Sequence, residues 1–358
     1  MECTLPASPG WKPMRDVTLL WALRSPCNLG CRYCYFGTIE EHKAAPPGTV
    51  GSLSHLSRDD LSLSDVTAFA ATLAGSAVKR IFIAGGEPLI WPHTLDLAEM
   101  VKAAGVEVVL CTNGIPLNRP AITRRIIELG VDAVSVSLDS PDPAENDHYR
   151  PARNGGDGYA HVVAGVRSLL AARRARFLPR VGIYMVVTRR NIDAVPAMGR
   201  LAANLGVDYF VPQPVSLSAD HDLHDELALD RRHAPEVASA LDDLYSAGLS
   251  VGLPRHSYAV SFAATIQADS PGFVSGCFGG HTLFFIEPDG SLWDCPSSLK
   301  IRATPPARRR TIRGGDAGFL FDPARRGCAA DCELFSRDCV NMWPLTGFDV
   351  FLHRGDRL

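Results

Sequence analysis

Short apolar runs alternate with amphipathic stretches between about residue 16 and residue 214 of the chain. The stretches between the runs carry apolar residues at helical spacing. Because strands that alternate with helices form repeated βα units, the pattern predicts an α/β fold with a parallel sheet, either an incomplete barrel or an open sheet. Six runs have the composition of strands: Val17–Leu23, Val78–Ala84, Val106–Cys111, Ala133–Leu138, Val181–Thr188 and Val207–Val211.

Two of the intervening helices have recognisable ends. Ser64 precedes the amphipathic pattern that begins at Asp65 and is predicted to be its N-cap. Gly130 follows the pattern that begins at Ala121 and is predicted to end that helix. The segment 37–58 is rich in Pro, Gly, Ser and charged residues and lacks periodicity, so it is predicted to be a long loop.

The βα alternation stops after residue 220. A helical pattern covers Asp230–Ala247, and a hairpin is predicted at His281–Trp293 around the turn sequence Pro-Asp-Gly. The rest is irregular chain that contains several cysteines. We therefore expect a core at residues 14–220, a helical connection at 221–270 and a small C-terminal domain at 271–345.

Composition and charge narrow the class of protein. Hydrophobic residues make up 46% of the 358 residues and charged residues 21%, which excludes intrinsic disorder. The 36 basic and 39 acidic side chains give a net charge of -3, without the clustered basic surplus that nucleic acids or anionic lipids require. No apolar stretch approaches the ~20 residues of a membrane span, and the first residues lack a secretory signal. We expect a cytoplasmic protein that binds neither nucleic acid nor membrane.

The chain contains ten cysteines. Because thiols stay reduced in the cytosol, metal binding or catalysis is the leading interpretation. Cys3 and Cys111 stand alone, and the others form two groups, which predicts two sites. The groups are Cys27, Cys31 and Cys34 near the first strand, and Cys277, Cys295, Cys328, Cys332 and Cys339 in the last quarter.

The first cysteine group directly follows the first strand and should lie at the carboxyl edge of the sheet, where α/β folds bind ligands. Three thiolates at this spacing can hold three irons of a cubic iron–sulfur cluster and leave the fourth iron open. A structural zinc ion is the alternative, but it would need a fourth ligand, and His42 is the nearest candidate.

This loop resembles the cluster motif of the radical S-adenosylmethionine (SAM) superfamily, Cys-x3-Cys-x2-Cys with an aromatic residue, here Tyr33, before the last cysteine. A second superfamily signature, Gly85-Gly86-Glu87-Pro88, ends the second strand. The resemblance implies a partial (β/α)6 TIM-like barrel in which Cys27, Cys31 and Cys34 hold a [4Fe-4S] cluster. It also implies that the glycine-rich signature holds the methionyl amine of SAM. Reductive cleavage of SAM would then yield a 5′-deoxyadenosyl radical that abstracts a hydrogen atom from the substrate.

Further residues match the family in the same chain order. Asn113 follows the third strand, Ser137 and Asp139 end the fourth, and Arg150 lies in a stretch that resembles His-Asp-x-x-Arg. The resemblance makes all four of them candidate SAM-binding residues. The alternative interpretation is turn and cap chemistry, which uses the same residue types.

The second cysteine group resembles the auxiliary-cluster modules called SPASM and twitch domains. Its five thiols suffice for one auxiliary iron–sulfur cluster of the [4Fe-4S] type, with one cysteine left over. Cys277 and Cys295 are predicted ligands, and two of Cys328, Cys332 and Cys339 would complete the set. A four-cysteine zinc site uses similar spacings and is the alternative.

Three functions compete. The first is a peptide maturase that oxidises, crosslinks or epimerises a residue, with flavodoxin or ferredoxin as electron donor. The second is a dehydrogenase or epimerase that acts on an aminocyclitol or sugar in antibiotic biosynthesis. The third is a non-enzymatic iron–sulfur or zinc scaffold. The first strand begins near Asp16, which leaves no room before it for the leader-peptide-binding domain of many maturases.

Four isolated residues are candidates for substrate chemistry. Cys111 ends the third strand and could donate a hydrogen atom to a substrate radical, although a lone cysteine there is more often a small buried hydrophobic residue. Tyr184, Gln213 and Arg255 lie near late strand ends or in the connection that follows, and they are candidate substrate contacts.

Overall fold

The computed structural model describes residues 16–35, 59–153, 155–156, 158–173, 178–268, 271–326 and 330–352. Its first six strands coincide with the six predicted runs to within about two residues at nearly every end. The strands are β1 Val17–Arg24, β2 Val78–Gly85, β3 Glu107–Thr112, β4 Ala133–Ser137, β5 Arg180–Val187, β6 Tyr209–Pro214, β7 Gly272–Cys277, β8 Leu283–Ile286, β9 Ser291–Trp293, β10 Arg310–Thr311 and β11 Ala330–Phe335.

Helices connect the parallel strands and continue into the C-terminal region. They are α1 Leu63–Ala70, α2 Thr94–Ala103, α3 Pro120–Glu128, α4 Pro143–Tyr149, α5 Gly158–Arg173, α6 Val195–Leu205, α7 His224–Leu227, α8 Ala234–Ser246, α9 His256–Gln267, α10 Ser298–Ala303, α11 Ala317–Leu320, α12 Arg337–Thr346 and α13 Asp349–Leu352. No helix in the described part of the chain is both long and apolar enough to cross a bilayer.

The central sheet has nine strands in the order β10-β9-β8-β1-β2-β3-β4-β5-β6. Strands β1 to β6 are parallel neighbours, which confirms the predicted α/β class and is consistent with a partial TIM barrel. The predicted hairpin is present as β8 and β9. It extends the sheet, because the fully buried strand β8 pairs in parallel with β1 along Thr18–Trp21.

Side chains of the sheet divide between two apolar layers. Along β1, Leu19, Trp21 and Leu23 pack in the layer that the helices cover, whereas Leu20 and Ala22 point to the opposite, inner layer. Uniformly apolar strands are typical of a sheet buried on both faces. The inner layer is the one that reaches the candidate site.

The C-terminal helices close the inner layer near the amino-terminal ends of the strands. Phe348 packs against Phe82, and Phe351 stacks on Tyr209 at a centroid distance of 4.8 Å. Arg80 binds Asp349 in the same place. These contacts fill this end of the inner layer.

The start of α1 corrects one prediction. The N-cap is Ser62, whose hydroxyl accepts from the Asp65 backbone N–H at 3.1 Å, and not Ser64. The Asp65 side chain in turn accepts from the Ser62 backbone N–H, so the two residues form a capping box. Gly130 follows α3 with a φ of 62°, as its predicted role requires. The predicted loop at 37–58 lies outside the described residues.

Candidate active site and auxiliary cysteine site

A cavity of about 270 Å³ opens at the carboxyl ends of the parallel strands. The three cysteines of the first loop lie on its wall together with most of the residues that the sequence singled out. The residues that the sequence predicts for the site and that line this cavity are Cys27, Cys31, Tyr33, Cys34, Gly85, Gly86, Cys111, Asn113, Ser137, Arg150, Tyr184 and Gln213. The structure therefore brings twelve separately predicted residues to one cavity.

Backbone hydrogen bonds anchor the cysteine loop to the end of α4 and the segment after it. The Gly30 N–H donates to the Pro151 carbonyl at 2.9 Å, and the Arg32 N–H donates to the Tyr149 carbonyl at 2.9 Å. In return the Arg153 N–H donates to the Asn28 carbonyl at 3.1 Å. Because these bonds use main-chain groups on both sides, the chain itself sets the shape of the loop.

Asp139 is a buried centre of hydrogen bonds behind the cysteine loop. Its Oδ2 accepts from the Tyr33 hydroxyl at 2.8 Å and from Arg150 Nη1 at 2.7 Å. Its Oδ1 accepts from the Val186 backbone N–H at 2.7 Å. The carboxylate therefore fixes Tyr33 and Arg150 on the cavity wall but does not itself line the cavity.

Gly85 and Gly86 allow β2 to pass close to the start of the cysteine loop. A Cβ atom on Gly86 would lie 2.2 Å from the Pro26 carbonyl oxygen, and one on Gly85 would lie 2.5 Å from the Arg24 carbonyl oxygen. Gly85 also has a φ of 125°, which L side chains rarely adopt. The sequence predicts that these glycines admit a ligand, and the structure adds that they admit the loop itself.

Glu87 lies entirely inside the protein, with 0% of its surface exposed. Its Oε1 accepts from the Leu89 N–H at 3.0 Å and the Thr112 hydroxyl at 2.8 Å, and its Oε2 accepts from the Asn113 N–H at 2.6 Å. Burial nevertheless raises the pKa of the carboxyl group to about 7. Glu87 thus ties β2 to the end of β3, and the neighbouring Pro88 begins a short 3-10 helix.

Asn113 connects the end of β3 to the cysteine loop. Its Nδ2 donates to Asn28 Oδ1 at 2.7 Å and lies 3.8 Å from the Cys27 sulfur. Its Oδ1 accepts from the Ile115 N–H at 3.1 Å. Asn113 therefore makes the turn hydrogen bond expected of an Asn-Gly pair, and its side-chain amide also lies toward the first cysteine.

The thiols at this cavity are in an environment that disfavours an isolated thiolate. Burial raises the pKa of Cys27 to about 11 and that of Cys111 to about 12, and it also raises the pKa of Cys31. A cationic metal centre removes this penalty for the thiols that bind it, because it stabilises their deprotonated form.

Three of the four substrate candidates lie together. Cys111, Tyr184 and Gln213 line the cavity, on β3, β5 and β6. Gln213 also donates to the Asn341 carbonyl at 3.1 Å, which ties β6 to α12. Arg255, in contrast, precedes α9 and does not line this cavity.

Four cysteines of the second group meet at a separate cavity of about 40 Å³. Cys277 ends β7, Cys295 follows β9, Cys332 lies in β11 and Cys339 lies in α12, and all four line this cavity. Burial raises the pKa of Cys277, Cys295 and Cys339. Cys328 lies outside the described residues, as does the isolated Cys3.

One helix forms part of both cavities. Asn341, Met342 and Leu345 of α12 line the active cavity, and Cys339 and Met342 line the auxiliary one. Tyr35 makes a second connection, because it follows Cys34 directly and its hydroxyl donates to the Pro296 carbonyl, next to Cys295, at 2.7 Å. The two cysteine groups are therefore neighbours in the fold.

Sequence reasoning missed Asp60, which supports the entry to the cysteine loop. Its carboxylate accepts from the Ser25 hydroxyl at 2.6 Å and from the Ser25 N–H at 3.1 Å, and it forms an ion pair with Arg24. No local signal marks this residue, since its partners lie 35 and 36 positions earlier in the chain.

Comparison with known proteins identifies a family. The model of the Radical SAM superfamily matches residues 26–202, which contain the cysteine loop and strands β2 to β5. The AdoMet-dependent heme synthase of Methanosarcina barkeri is 25% identical over 300 residues, which are 77% of this chain and 76% of that protein. Mycofactocin maturase MftC of Mycobacterium ulcerans is 26% identical over 289 residues, 80% of this chain and 70% of that protein.

Solved structures share the fold. SuiB of Streptococcus suis bound to S-adenosylmethionine superposes with a TM-score of 0.61 at 14% identity, covering 86% of this chain and 66% of SuiB. The same protein has been solved bound to its precursor peptide SuiA, with a TM-score of 0.57. The likeness extends beyond the barrel into the C-terminal region.

Proposed function

Because the chain belongs to the radical SAM superfamily, we propose that it cleaves SAM reductively and uses the resulting radical to oxidise, crosslink or epimerise a peptide. The observation that carries this proposal is the convergence of the three loop cysteines with the glycine-rich turn and the ends of β3 and β4 at one cavity. The membership supports an enzyme, which disfavours the scaffold hypothesis.

In this proposal Cys27, Cys31 and Cys34 hold a [4Fe-4S] cluster. When bound, the cluster supplies the electron that cleaves SAM into methionine and the 5′-deoxyadenosyl radical. The three cysteines fit the cluster, because they line one cavity. Among the described residues, Cys111 is the one further cysteine on the wall of this cavity. The protein holds the loop in place through its backbone bonds to the end of α4 and the segment after it.

The proposed SAM-binding residues divide by their contacts. Gly85, Gly86, Asn113, Ser137 and Arg150 line the cavity and are proposed to meet the cofactor, as is the ring of Tyr33. Glu87, Pro88 and Asp139 lie behind this wall, and we propose that they position it.

We propose one auxiliary [4Fe-4S] cluster held by Cys277, Cys295, Cys332 and Cys339. All four line the second cavity. Within the described ranges, no three His, Cys, Asp or Glu side chains converge closely enough for a single metal ion. Four thiols suit either a cluster or a tetrahedral zinc ion, and the resemblance to auxiliary-cluster modules supports the cluster. Cys328 would then be the cysteine left over.

A peptide substrate is supported by the relatives. One is called a maturase, and a structural neighbour has been solved with its precursor peptide. We propose flavodoxin or ferredoxin as electron donor and the cytoplasm as location. We also propose that the chain divides into a radical SAM core at residues 14–220, a helical connection at 221–270 and an auxiliary-cluster domain at 271–345.

Anaerobic turnover tests the proposed function. Reconstituted protein with dithionite and SAM should form 5′-deoxyadenosine, and a protein that forms none under these conditions would contradict the proposal. Peptides deuterated at Cα or Cβ should transfer deuterium into 5′-deoxyadenosine. Transfer from a deuterated aminocyclitol instead would favour the small-molecule hypothesis.

Cys111 favours epimerisation among the three peptide reactions, because its thiol lines the active cavity. Burial keeps this thiol protonated, so its S–H hydrogen is available to a substrate radical. In D2O, an epimerase should incorporate one solvent deuterium into product, and Cys111→Ala should abolish this incorporation while SAM cleavage continues. Product without solvent deuterium would point to oxidation or crosslinking.

A further inference from the structure

A cleft of about 530 Å³ lies beside the active cavity, between the end of α9, strand β7, helix α10 and the first residues of α12. Its size is that of a ligand-binding cleft. The segment that follows β6 runs along both spaces, because Gln213 to Ser216 line the active cavity and Ser216 to Ser218 line the cleft. A molecule in the cleft can therefore reach toward the active cavity along this segment.

Two arginines on this wall make no close polar contact with the described residues. Arg337 is half-buried at the start of α12, and Arg302 is exposed near the end of α10. Neither guanidinium makes a hydrogen bond or ion pair within the described chain. Withdrawing a guanidinium from water without a partner is unfavourable, so Arg337 is placed to receive an anion.

The nearest described carboxylates lie beyond ion-pair distance of both guanidinium groups, although Asp230 and Asp338 attract Arg337 electrostatically and Asp338 Oδ1 has no hydrogen-bond partner in the described chain. Asp338, which also lines the cleft, accepts from the Ser298 N–H at 3.2 Å and from the Ser298 hydroxyl at 3.3 Å. Asp230 accepts from Arg232 Nη2 at 2.6 Å. Since no described carboxylate binds either guanidinium directly, both groups can form hydrogen bonds with a ligand from outside.

We propose that this cleft, named here the arginine cleft, binds a carboxylate-bearing segment of an extended peptide substrate while the residue to be modified lies in the active cavity. The inference rests on the proposed peptide-modifying function and adds a charge requirement to it. Arg337 makes the main contact with the carboxylate, since it is the less hydrated of the two arginines, and Arg302 contributes at the rim.

The surroundings suit a peptide rather than a free anion. Phe273, Leu299 and Phe335 line the arginine cleft beside the two arginines, so an acidic side chain with apolar neighbours matches the wall. Strand β7 also borders the cleft. Because its described sheet contains only β7 and β11, each strand keeps an edge to which an extended peptide can add backbone hydrogen bonds.

Fluorescence anisotropy with two matched probes tests the proposal on the reconstituted full-length protein. The probes are fluorescein-labelled Gly-Leu-Glu-Leu-Gly amide and its counterpart with Gln in place of Glu. We expect the acidic probe to bind at least about tenfold more tightly, because hydrogen bonds to charged groups are stronger than those to neutral groups. This contrast changes only the probe, so it is independent of any effect of a substitution on folding.

Protein variants locate the contact. Arg337→Gln should weaken binding of the acidic probe by about tenfold, and Arg302→Gln by less, because exposed ion pairs contribute little. Arg308→Gln is the matched control, since it removes the same charge from an exposed residue that does not line the cleft. Arg337→Lys should restore part of the binding, and circular dichroism checks that each variant is folded.

Three results would overturn the proposal. The first is equal binding of both probes, and the second is equal weakening of probe binding by Arg337→Gln and Arg308→Gln. The third is that inorganic phosphate binds in the cleft while neither probe does. The last result would assign the site to a small anion instead of a peptide. SAM cleavage by the wild-type protein without any peptide tests the proposed function separately. A protein that cleaves SAM but ignores the acidic probe refutes the arginine cleft alone.

Discussion

The two cysteine groups are built in opposite ways. Cys27, Cys31 and Cys34 lie within eight consecutive residues, and backbone hydrogen bonds hold their loop against the end of α4 and the segment after it. The second group is spread over 63 residues and comes from β7, the segment after β9, β11 and α12, with Cys277, Cys295, Cys332 and Cys339. The first site is therefore organised by its own loop, whereas the second exists only when the C-terminal elements have assembled.

The two arrangements suit different roles, one in chemistry and one in folding. A loop that the chain already fixes can present an open metal position for chemistry, as the proposed SAM site requires. A site whose four ligands join distant elements contributes to folding as well, because metal binding closes the intervening chain segments.

The largest contrast is between one cysteine of each group. Cys27→Ala should reduce anaerobic SAM cleavage below detection, because the proposed catalytic cluster loses a ligand. Cys295→Ala should retain SAM cleavage but form no product, because the proposed electron acceptor is lost. Chromatographic measurement of 5′-deoxyadenosine and product checks both, with Cys3→Ala as control. Equal loss of cleavage in the two variants would remove the functional distinction between the groups.

Iron content sharpens the assignment of the second group. With two clusters, the wild type should hold about eight iron ions per chain, and Cys332→Ala should hold about four. Cys328→Ala, a matched change four residues away, should keep the full content and a wild-type unfolding midpoint. If iron falls in Cys328→Ala and not in Cys332→Ala, the proposed ligand set is wrong.

Asp139 tests whether the first loop is held by its surroundings. Asp139→Asn leaves Arg150 buried beside a neutral partner and should lower the free energy of unfolding by about 3–5 kcal/mol. Asp142→Ala, which removes only the N-cap of α4, should cost about 1 kcal/mol. Urea unfolding of both variants measures the difference. Equal costs would mean that Asp139 does not anchor Tyr33 and Arg150.

The pH dependence of stability is a smaller effect at the same site. Burial raises the pKa of Glu87 from 4.5 to about 7, so the native state binds this proton more tightly than the unfolded chain does. The free energy of unfolding should therefore fall by about 2–3 kcal/mol as the pH rises from about 5 to about 8, with little further change above that range. The Glu87→Gln variant should lack this contribution to the pH dependence of the free energy of unfolding. Urea unfolding at a series of pH values compares the two proteins, and parallel curves would contradict the shift.

Local patterns predicted much of the fold because each strand and helix of the βα units carries its own signal. The six apolar runs marked β1 to β6 to within a few residues. The start of α1 was misplaced by two positions, since Ser62 and Ser64 are both capping residues and only the reciprocal bond with Asp65 distinguishes them. Contacts between distant segments had no such signal.

The pairing of β8 with β1 is the clearest example of what the sequence could not supply. It joins residues more than 260 positions apart, and four apolar residues fit many places in a sheet. The same limit applies to the candidate site, where motifs named the cysteines and glycines on the cavity wall. Asp60 and the residues of α12 reach that site only through the tertiary fold.

Helix α12 has a practical consequence for handling this protein in air. Cys339 and Met342 lie one turn apart, and Met342 faces both cavities. If oxygen destroys the proposed auxiliary cluster, the helix loses its attachment at Cys339, and the wall of the reaction chamber is released with it. A single oxidative event would then block product formation in two ways, by removing an electron acceptor and by misplacing the substrate, while SAM cleavage continued as expected for Cys295→Ala.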